Sequence, residues 1–411
     1  MWTSDSNTDK SSDYLILMYM DGDNSLESVL LQNLNQVEYG LYTIRNSSGY
    51  ASVNVVVLWD GDSSGDSKLY EVGADSSYNY QLSDSTVTVS GTPSWLSTGE
   101  VNMGDPGTLT NFLTWAKTKY SAANVILQFA DHGGGPRSTS SGTDEERALC
   151  QDETDNDILY TAEVSTALAN AGYSSSNQLG IILMDVCFGA SIEDAYQFQN
   201  YAHYFAASPN SVPGNGLNYT DLIKSFTSSS SLKSIGIQMV SDFKTQYHRS
   251  QTSWDSLPQN KTNYYIYNKV YTYSKTFSFI DLSKIAAVKS AVDTLASSIQ
   301  NKSSSYLAYL KYDDTGETAI TNSLAYSGSY AWLYDIGYFA YKVYNDSNSS
   351  ASIKTAAEAV MSSLNGAVVS SWRDAPDTTY GGNLYTYIQR LGYAPFGITI
   401  TGATSKGEAP S

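Results

Sequence analysis

The chain has 411 residues, enough for one large hydrophobic core or two smaller ones. Its 41 acidic and 23 basic residues give a net charge of −18, which argues against nucleic acid and anionic membranes as partners and suits a cationic substrate. No apolar run reaches the roughly 20 residues needed for a membrane span, and two cysteines are too few for a disulfide framework.

In chain order, residues 1–12 are polar and read as a flexible tether, left after removal of an export signal or lipid anchor. Asp13 to Met20 is a strand that ends at Asp21-Gly22-Asp23-Asn24. A helix follows, with Leu26, Val29, Leu30, Leu34 and Val37 on its apolar stripe. Asp21 and Asp23 are placed to cap that helix. Ser52 to Trp59 is a second strand, and residues 62–105 read as irregular strands or hairpins. Leu109 to Tyr120 is helical and feeds the strand Val125–Ala130. Residues 136–157 are polar and acidic without an apolar period, so they read as a loop. The helix Leu159 to Ala171, the strand Ile181–Met184, the helix Ser191 to Phe198 and the strand Ala202 to Ala207 complete the alternation. That order predicts an α/β fold with a mostly parallel central sheet and right-handed crossovers. Beyond residue 220 the pattern is mostly helical, clearest over Ile285 to Ile299 and Ile353 to Leu364. A last strand is expected over Phe396 to Thr401, and residues 402–411 read as a tail.

Two strand ends stand out. Val125–Ala130 runs into Asp131-His132-Gly133-Gly134-Gly135, and Ile181–Met184 runs into Asp185-Val186-Cys187-Phe188-Gly189. Each is an uncharged apolar run that stops at a small-residue turn, as a strand buried on both faces does. Ligands of open α/β sheets bind outside the carboxyl ends of the strands, so His132 and Cys187 fall where chemistry is expected. A cysteine beside a histidine is the minimum apparatus for a thiolate nucleophile. The bland alternative for Cys187 is a small buried apolar residue. A helix starting soon after Cys187 would favour its thiolate and offer backbone N–H groups to an oxyanion. Of the three histidines, His203 lies inside an apolar strand and His248 in a polar stretch, and neither ends a strand in a glycine-rich turn. Asp185 lies two residues before Cys187, on the same side of a strand, and could pair with a basic substrate side chain; the alternative is a structural cap for the next helix. Gly133 permits close backbone approach of a substrate. A third possibility pairs Cys150 with Cys187 in a disulfide.

These segments, with the opening Tyr19-Met20-Asp21-Gly22-Asp23-Asn24-Ser25-Leu26, resemble the clostripain-type cysteine peptidases, within the larger caspase-like group. The resemblance covers roughly residues 13–220 and implies a caspase-like α/β/α sandwich, residues 13–220 forming the catalytic core and 221–401 a helical C-terminal extension. It implies an endopeptidase cleaving protein or peptide substrates after Arg or Lys, with a Cys187–His132 dyad and with Asp185 selecting the basic residue. It also implies a zymogen activated by self-cleavage in the 136–157 loop, between Arg147 and Ala148, leaving associated light and heavy chains. The family's loop corresponding to Ser208–Leu217 often carries acidic residues, and this one has none. No cofactor is required by that chemistry. The acidic residues Asp144, Glu145, Glu146, Asp152, Glu153, Asp155 and Asp157 form either a solvated loop or a Ca²⁺ site. The expected location is secreted or cell-surface. The competing function is a non-catalytic cell-surface α/β binding domain.

Overall fold

The computed structural model describes residues 10–77, 87–88, 91–134, 149–247, 275–300, 306, 333–373 and 397–399. Strand β1 (Lys10–Asp21) leads into helix α1 (Glu27–Arg45) and strand β2 (Val53–Asp60). Short strands β3 (Lys68–Glu71) and β4 (Val87–Thr88) precede α2 (Pro106–Lys119) and β5 (Tyr120–Ala130). A hairpin of β6 (Cys150–Asp152) and β7 (Asp157–Leu159) is followed by α3 (Thr161–Asn170), β8 (Leu179–Asp185), α4 (Ile192–Phe198) and β9 (Ala202–Ala207). Then come α5 (Tyr219–Lys224), α6 (Leu232–Tyr247), β10 (Thr276–Asp281), α7 (Ile285–Ile299), β11 (Leu333–Asp335), α8 (Ile336–Asn345), α9 (Ala351–Ala367), β12 (Val368–Arg373) and β13 (Gly397–Thr399).

Among the described residues the central sheet has nine strands, in the order β12-β10-β9-β8-β5-β1-β2-β3-β4. Strands β9, β8, β5, β1 and β2 run parallel, and antiparallel strands extend both edges. β1 shows why both faces must be covered. Its Leu15, Leu17 and Tyr19 enter the core on one face, while Tyr14, Ile16, Met18 and Met20 enter the core on the other. Helices α2, α3, α4, α7, α8 and α9 cover the first face, and α1, α5 and α6 cover the second. The fold is therefore the expected α/β/α sandwich. The β1–α1–β2 crossover lies on one face and the crossovers leading to β5, β8 and β9 on the other, so the winding reverses between β1 and β5. A crevice at the carboxyl ends of these strands is the usual ligand position in such sheets.

Three sequence expectations change. Residues 10–12, read as tether, pair with Tyr120, Ser121 and Ala122 as the start of β1. The end of the 136–157 loop is not irregular, because residues 150–159 form the β6–β7 hairpin. The mostly helical segment after residue 220 also gives β10 and β12 to the central sheet, two strands beyond the final one expected. Gly236 on α6 lies flat on the Phe279 ring of β10, where an added Cβ would come within 2.1 Å of a ring atom. Phe279 itself stacks on Tyr204 with ring centroids 4.9 Å apart. Gly236→Ala should therefore cost about 1–3 kcal/mol despite alanine's better helix propensity, because the ring has no room to withdraw. The urea midpoint measures this, and an unchanged midpoint would show that the ring moves freely.

Candidate active site

Parallel register brings the chemistry level. Asp21 pairs with Asp60 across β1 and β2, Met20 with Ala130 across β1 and β5, and Ala130 with Asp185 across β5 and β8. The residues just beyond these ends, Asp131-His132-Gly133 and Val186-Cys187, therefore become neighbours. Gly133 is the contact point. A Cβ there would sit 2.2 Å from the Cys187 carbonyl oxygen and 2.7 Å from its amide nitrogen, so only glycine fits. Gly133 thus packs directly against the Cys187 backbone.

Asp131 is buried and anchors the turn: its Oδ1 accepts from Asn24 Nδ2 at 2.8 Å and its Oδ2 accepts from the Gln151 N–H. Ser25 Oγ lies 3.0 Å from His132 Nε2. Ser25 therefore touches the candidate base, a contact the sequence marked only through its position in the Tyr19–Leu26 segment. On the other strand, the Val212 N–H donates to Cys187 Sγ at 3.3 Å. That backbone donor suits a thiolate, while the Val212 carbonyl oxygen 3.7 Å from Sγ accepts from the neutral thiol. The helix expected to favour the thiolate does not. α4 begins only at Ile192, and Ser191 Oγ accepts from the Asp194 N–H at its N-terminus. The backbone N–H groups of Phe188 and Ala190 are also engaged, by Asn210 and Ser208 carbonyls, so they are not donors to an oxyanion. Phe188 has φ of 57°, a left-handed conformation costly for a bulky residue, which marks the sharp turn after the cysteine.

Asp185 is buried, and Tyr219 Oη (2.7 Å) and the Leu217 N–H (2.9 Å) both donate to its Oδ2. Its Oδ1 is buried without a hydrogen-bond partner. Burial raises its pKa to about 6, against the opposing effect of those two hydrogen bonds. Gly216 has φ of 61°, and a Cβ there would lie 2.2 Å from Asp185 Oδ2, so this glycine is demanded twice over. Asp185 does not cap α4. A cavity of about 240 Å³ gathers these groups, with His132, Cys187 and Asp185 in its lining and Leu26, Leu30, Val212 and Pro213 as apolar walls. His203 lines a different cavity, and His248 lies outside the described residues. Nothing in the sequence pointed to Tyr219 or to the Val212 backbone.

Arg147 and Ala148 lie outside the described residues, as do Asp144, Glu145 and Glu146. Both cysteines are free thiols. Cys150 belongs to the core on one face of the sheet and Cys187 packs against the core on the other, which excludes the disulfide. Asp21 and Asp23 do not cap α1, since Asn24 Oδ1 accepts from the Leu26 N–H instead. They join Asp60, Asp131 and Asp152 in a buried acidic nest at the ends of β1, β2 and β5. Burial raises Asp21 well above the usual carboxylate range, with Asp131, Asp152 and Asp60 adding to the effect; burial likewise raises Asp60 to about 8 and Asp152 to about 6. Two groups in and around the nest have metal-ligand spacing: Asp21 with Asp131 and Cys150, and Asp23 with Asp60 and Glu100.

The profile of the clostripain family matches residues 18–389. Clostripain of Hathewaya histolytica is 26% identical over 405 residues, covering 90% of this chain and 73% of that protein. A secreted C11 cysteine protease from Bacteroides thetaiotaomicron, solved in complex with an irreversible peptide inhibitor, superposes with a TM-score of 0.59 at 22% identity over 95% of this chain and 90% of that one. An inactive zymogen C11 protease from Parabacteroides distasonis gives a TM-score of 0.56 at 17% identity over 96% and 90% of the two chains. These two structures share the fold, and the family profile spans most of the sequence. The chain belongs to the clostripain family and is a cysteine endopeptidase.

Proposed function

We propose that this endopeptidase cleaves proteins and peptides after Lys or Arg, with Cys187 as nucleophile, His132 as its acid–base partner and Asp185 as the acid that receives the basic side chain. The observation that carries this reading is the single cavity lined by all three. The Cys187 sulfur attacks the scissile carbonyl carbon, forming an S–C bond. His132 takes the thiol proton and gives it to the departing amine as the C–N bond breaks, leaving a thioester. Water then attacks the thioester with His132 as base and returns the free thiol. Nucleophile, base and specificity acid are all side chains, so this chemistry needs no resident cofactor. Asp185 Oδ1 meets the substrate cation at the floor of the cavity, while Oδ2 stays tied to Tyr219 and Leu217. Because residues 208–217 carry no acid, the basic preference rests on this one carboxylate.

The same reading includes a secreted zymogen that cuts itself between Arg147 and Ala148. Chain flanking that bond returns to the site, since the Gln151 N–H donates to Asp131. The two products would stay associated, because β5 and β8 are paired neighbours from Ile126–Ile181 to Ala130–Asp185. No binding-module reading is needed to account for the cavity.

Cys187→Ala and His132→Ala should each abolish hydrolysis of Lys- and Arg-ending reporter peptides with little loss of thermal stability, and near wild-type turnover in either would sink the dyad. Asp185→Asn should lower kcat/KM on basic substrates by about 10²-fold, because a charge-assisted pair in a dry pocket is worth several kcal/mol. A carboxyl titrating near 6 is ionised above that pH and neutral below it. The wild-type ratio of basic to neutral substrate turnover should therefore fall as pH drops through about 6, and the ratio for Asp185→Asn should stay flat. A flat wild-type ratio overturns the role of Asp185. N-terminal sequencing after incubation should find a fragment beginning at Ala148 in wild type and none in Cys187→Ala; an uncut, fully active wild type rules out the processing step.

A further inference from the structure

We infer that Asn33 is a second receiver of the substrate's basic side chain, its amide oxygen accepting one N–H of the terminal cation beside Asp185 Oδ1. The inference rests on the reading of Asp185 as the acid of the specificity pocket, and adds to it a residue of α1.

Leu26, just before α1, and Leu30 and Asn33 within it follow helical spacing on one face, and all three line the cavity that holds Cys187 and Asp185. The two leucines give that cavity an apolar wall. Asn33 is 1% exposed, and neither its Oδ1 nor its Nδ2 has a hydrogen-bond partner. Asparagine is a poor residue for a helix interior, and burying an unpaired amide costs further stability. A leucine there would extend the apolar stripe at no such cost. A buried amide left unpaired in the wall of a binding cavity marks a place where a ligand completes the pairing.

The surroundings say which ligand. Burial raises the Tyr219 hydroxyl well above its usual pKa, with Asp185 adding to the effect, and Asn33 stands close enough to oppose it. Tyr219 Oη accepts from Gln128 Nε2 at 2.9 Å and donates to Asp185 Oδ2 at 2.7 Å. α1 is held there from its next turn, where Gln36 Oε1 accepts from the Tyr219 N–H at 3.0 Å and the Gln36 carbonyl accepts from Thr220 Oγ1 at 3.0 Å. The cavity lining thus includes two buried acceptors without donors, Asp185 Oδ1 and Asn33 Oδ1. They belong to different groups. Asp185 Oδ2 already takes two hydrogen bonds, so the carboxylate does not offer both oxygens to a guanidinium, the geometry that suits arginine best. An ammonium needs no such fork. It sends N–H bonds in separate directions from one atom, one to Asp185 and one to Asn33. The pair therefore favours lysine over arginine.

The test compares wild type with Asn33→Leu on reporter peptides that differ only in the residue before the scissile bond: lysine, arginine or norleucine. Norleucine keeps the aliphatic stem of lysine and lacks the cation. The lysine-to-norleucine ratio of kcat/KM should fall by about 10-fold or more in Asn33→Leu, the worth of one hydrogen bond to a charged group. An unchanged ratio means that Asn33 only shapes the cavity, and overturns the inference. Wild type should favour lysine over arginine and the variant should lose that margin; a wild type that favours arginine overturns the selectivity. The melting temperature of Asn33→Leu should equal or exceed that of wild type, because an unpaired amide gives way to an apolar side chain of similar size. A lower one means that the amide is paired within the protein, and also overturns the inference. A second arm leaves the protein intact: a dimethyl-lysine peptide keeps the charge and offers one N–H, and wild type should cleave it at least about 10-fold less well than the lysine peptide. Equal cleavage shows that one acceptor suffices and that Asn33 is not a ligand. If Asp185→Asn loses the preference for lysine over norleucine while Asn33→Leu keeps it, Asn33 alone is wrong. If wild type has no such preference, the basic specificity falls with it.

Discussion

Gly133 and Cys187 meet backbone against backbone, with no space for a methyl group between them. The rest of the site depends on this contact. It requires that β5 and β8 be parallel neighbours in the register that sets Ala130 beside Asp185, so that the turns leaving both strands collide at the same height. It requires glycine on one side of the collision. It also means that His132 is not brought to Cys187 by its own flexibility. The histidine is held between a buried Asp131, fastened to Asn24 and Gln151, and a glycine locked onto the Cys187 main chain. A side chain so confined loses little entropy when a substrate arrives, which is the condition for precise positioning in catalysis.

A second constraint is electrostatic. Parallel strands in register place their carboxyl-end residues in one layer, and here four of those residues are aspartates: Asp21, Asp60, Asp131 and Asp185. Asp185 faces the catalytic cavity and keeps one oxygen unused; the others gather behind the histidine. A single feature of topology thus places one carboxylate in the cavity wall and gathers others at the neighbouring strand ends. The chain's overall charge of −18 is a weak indicator of either, since the effect depends on where the acids are buried and not on how many there are.

The parts of the fold that were readable in the sequence are those with uncharged, mostly apolar runs. Ile181–Met184 and Ile126–Ala130 are buried on both faces and cannot be mistaken for amphipathic elements. β10 was hidden because its sequence, Thr276-Phe277-Ser278-Phe279-Ile280-Asp281, mixes hydroxyls with apolar residues among strong helices, and its strand character comes from pairing with β9 and β12. His132 and Cys187 were readable because each lies two residues beyond the end of a buried strand. The acidic nest was not, because Asp21 and Asp23, Asp60, Asp131 and Asp152 come from four separated segments that only the fold brings together. The same holds for Tyr219, which reaches Asp185 from α5.

The thiol is where local rules and the fold disagree most usefully. Sequence reasoning assigned its activation to the helix that follows, yet α4 starts at Ile192 and carries Glu193 and Asp194 in its first turn. Those acids complement the helix dipole at home and would oppose a thiolate placed beside them. The fold instead bends the chain sharply at Phe188, ties Phe188 and Ala190 to the Ser208–Asn210 segment, and so carries the helix away. The same segment continues to Val212, whose N–H points at Cys187 Sγ, and to Gly216, which packs on Asp185. One loop therefore sets both the backbone donor at the Cys187 sulfur and the wall beside Asp185, so a change in its backbone would move both sides of the cavity together.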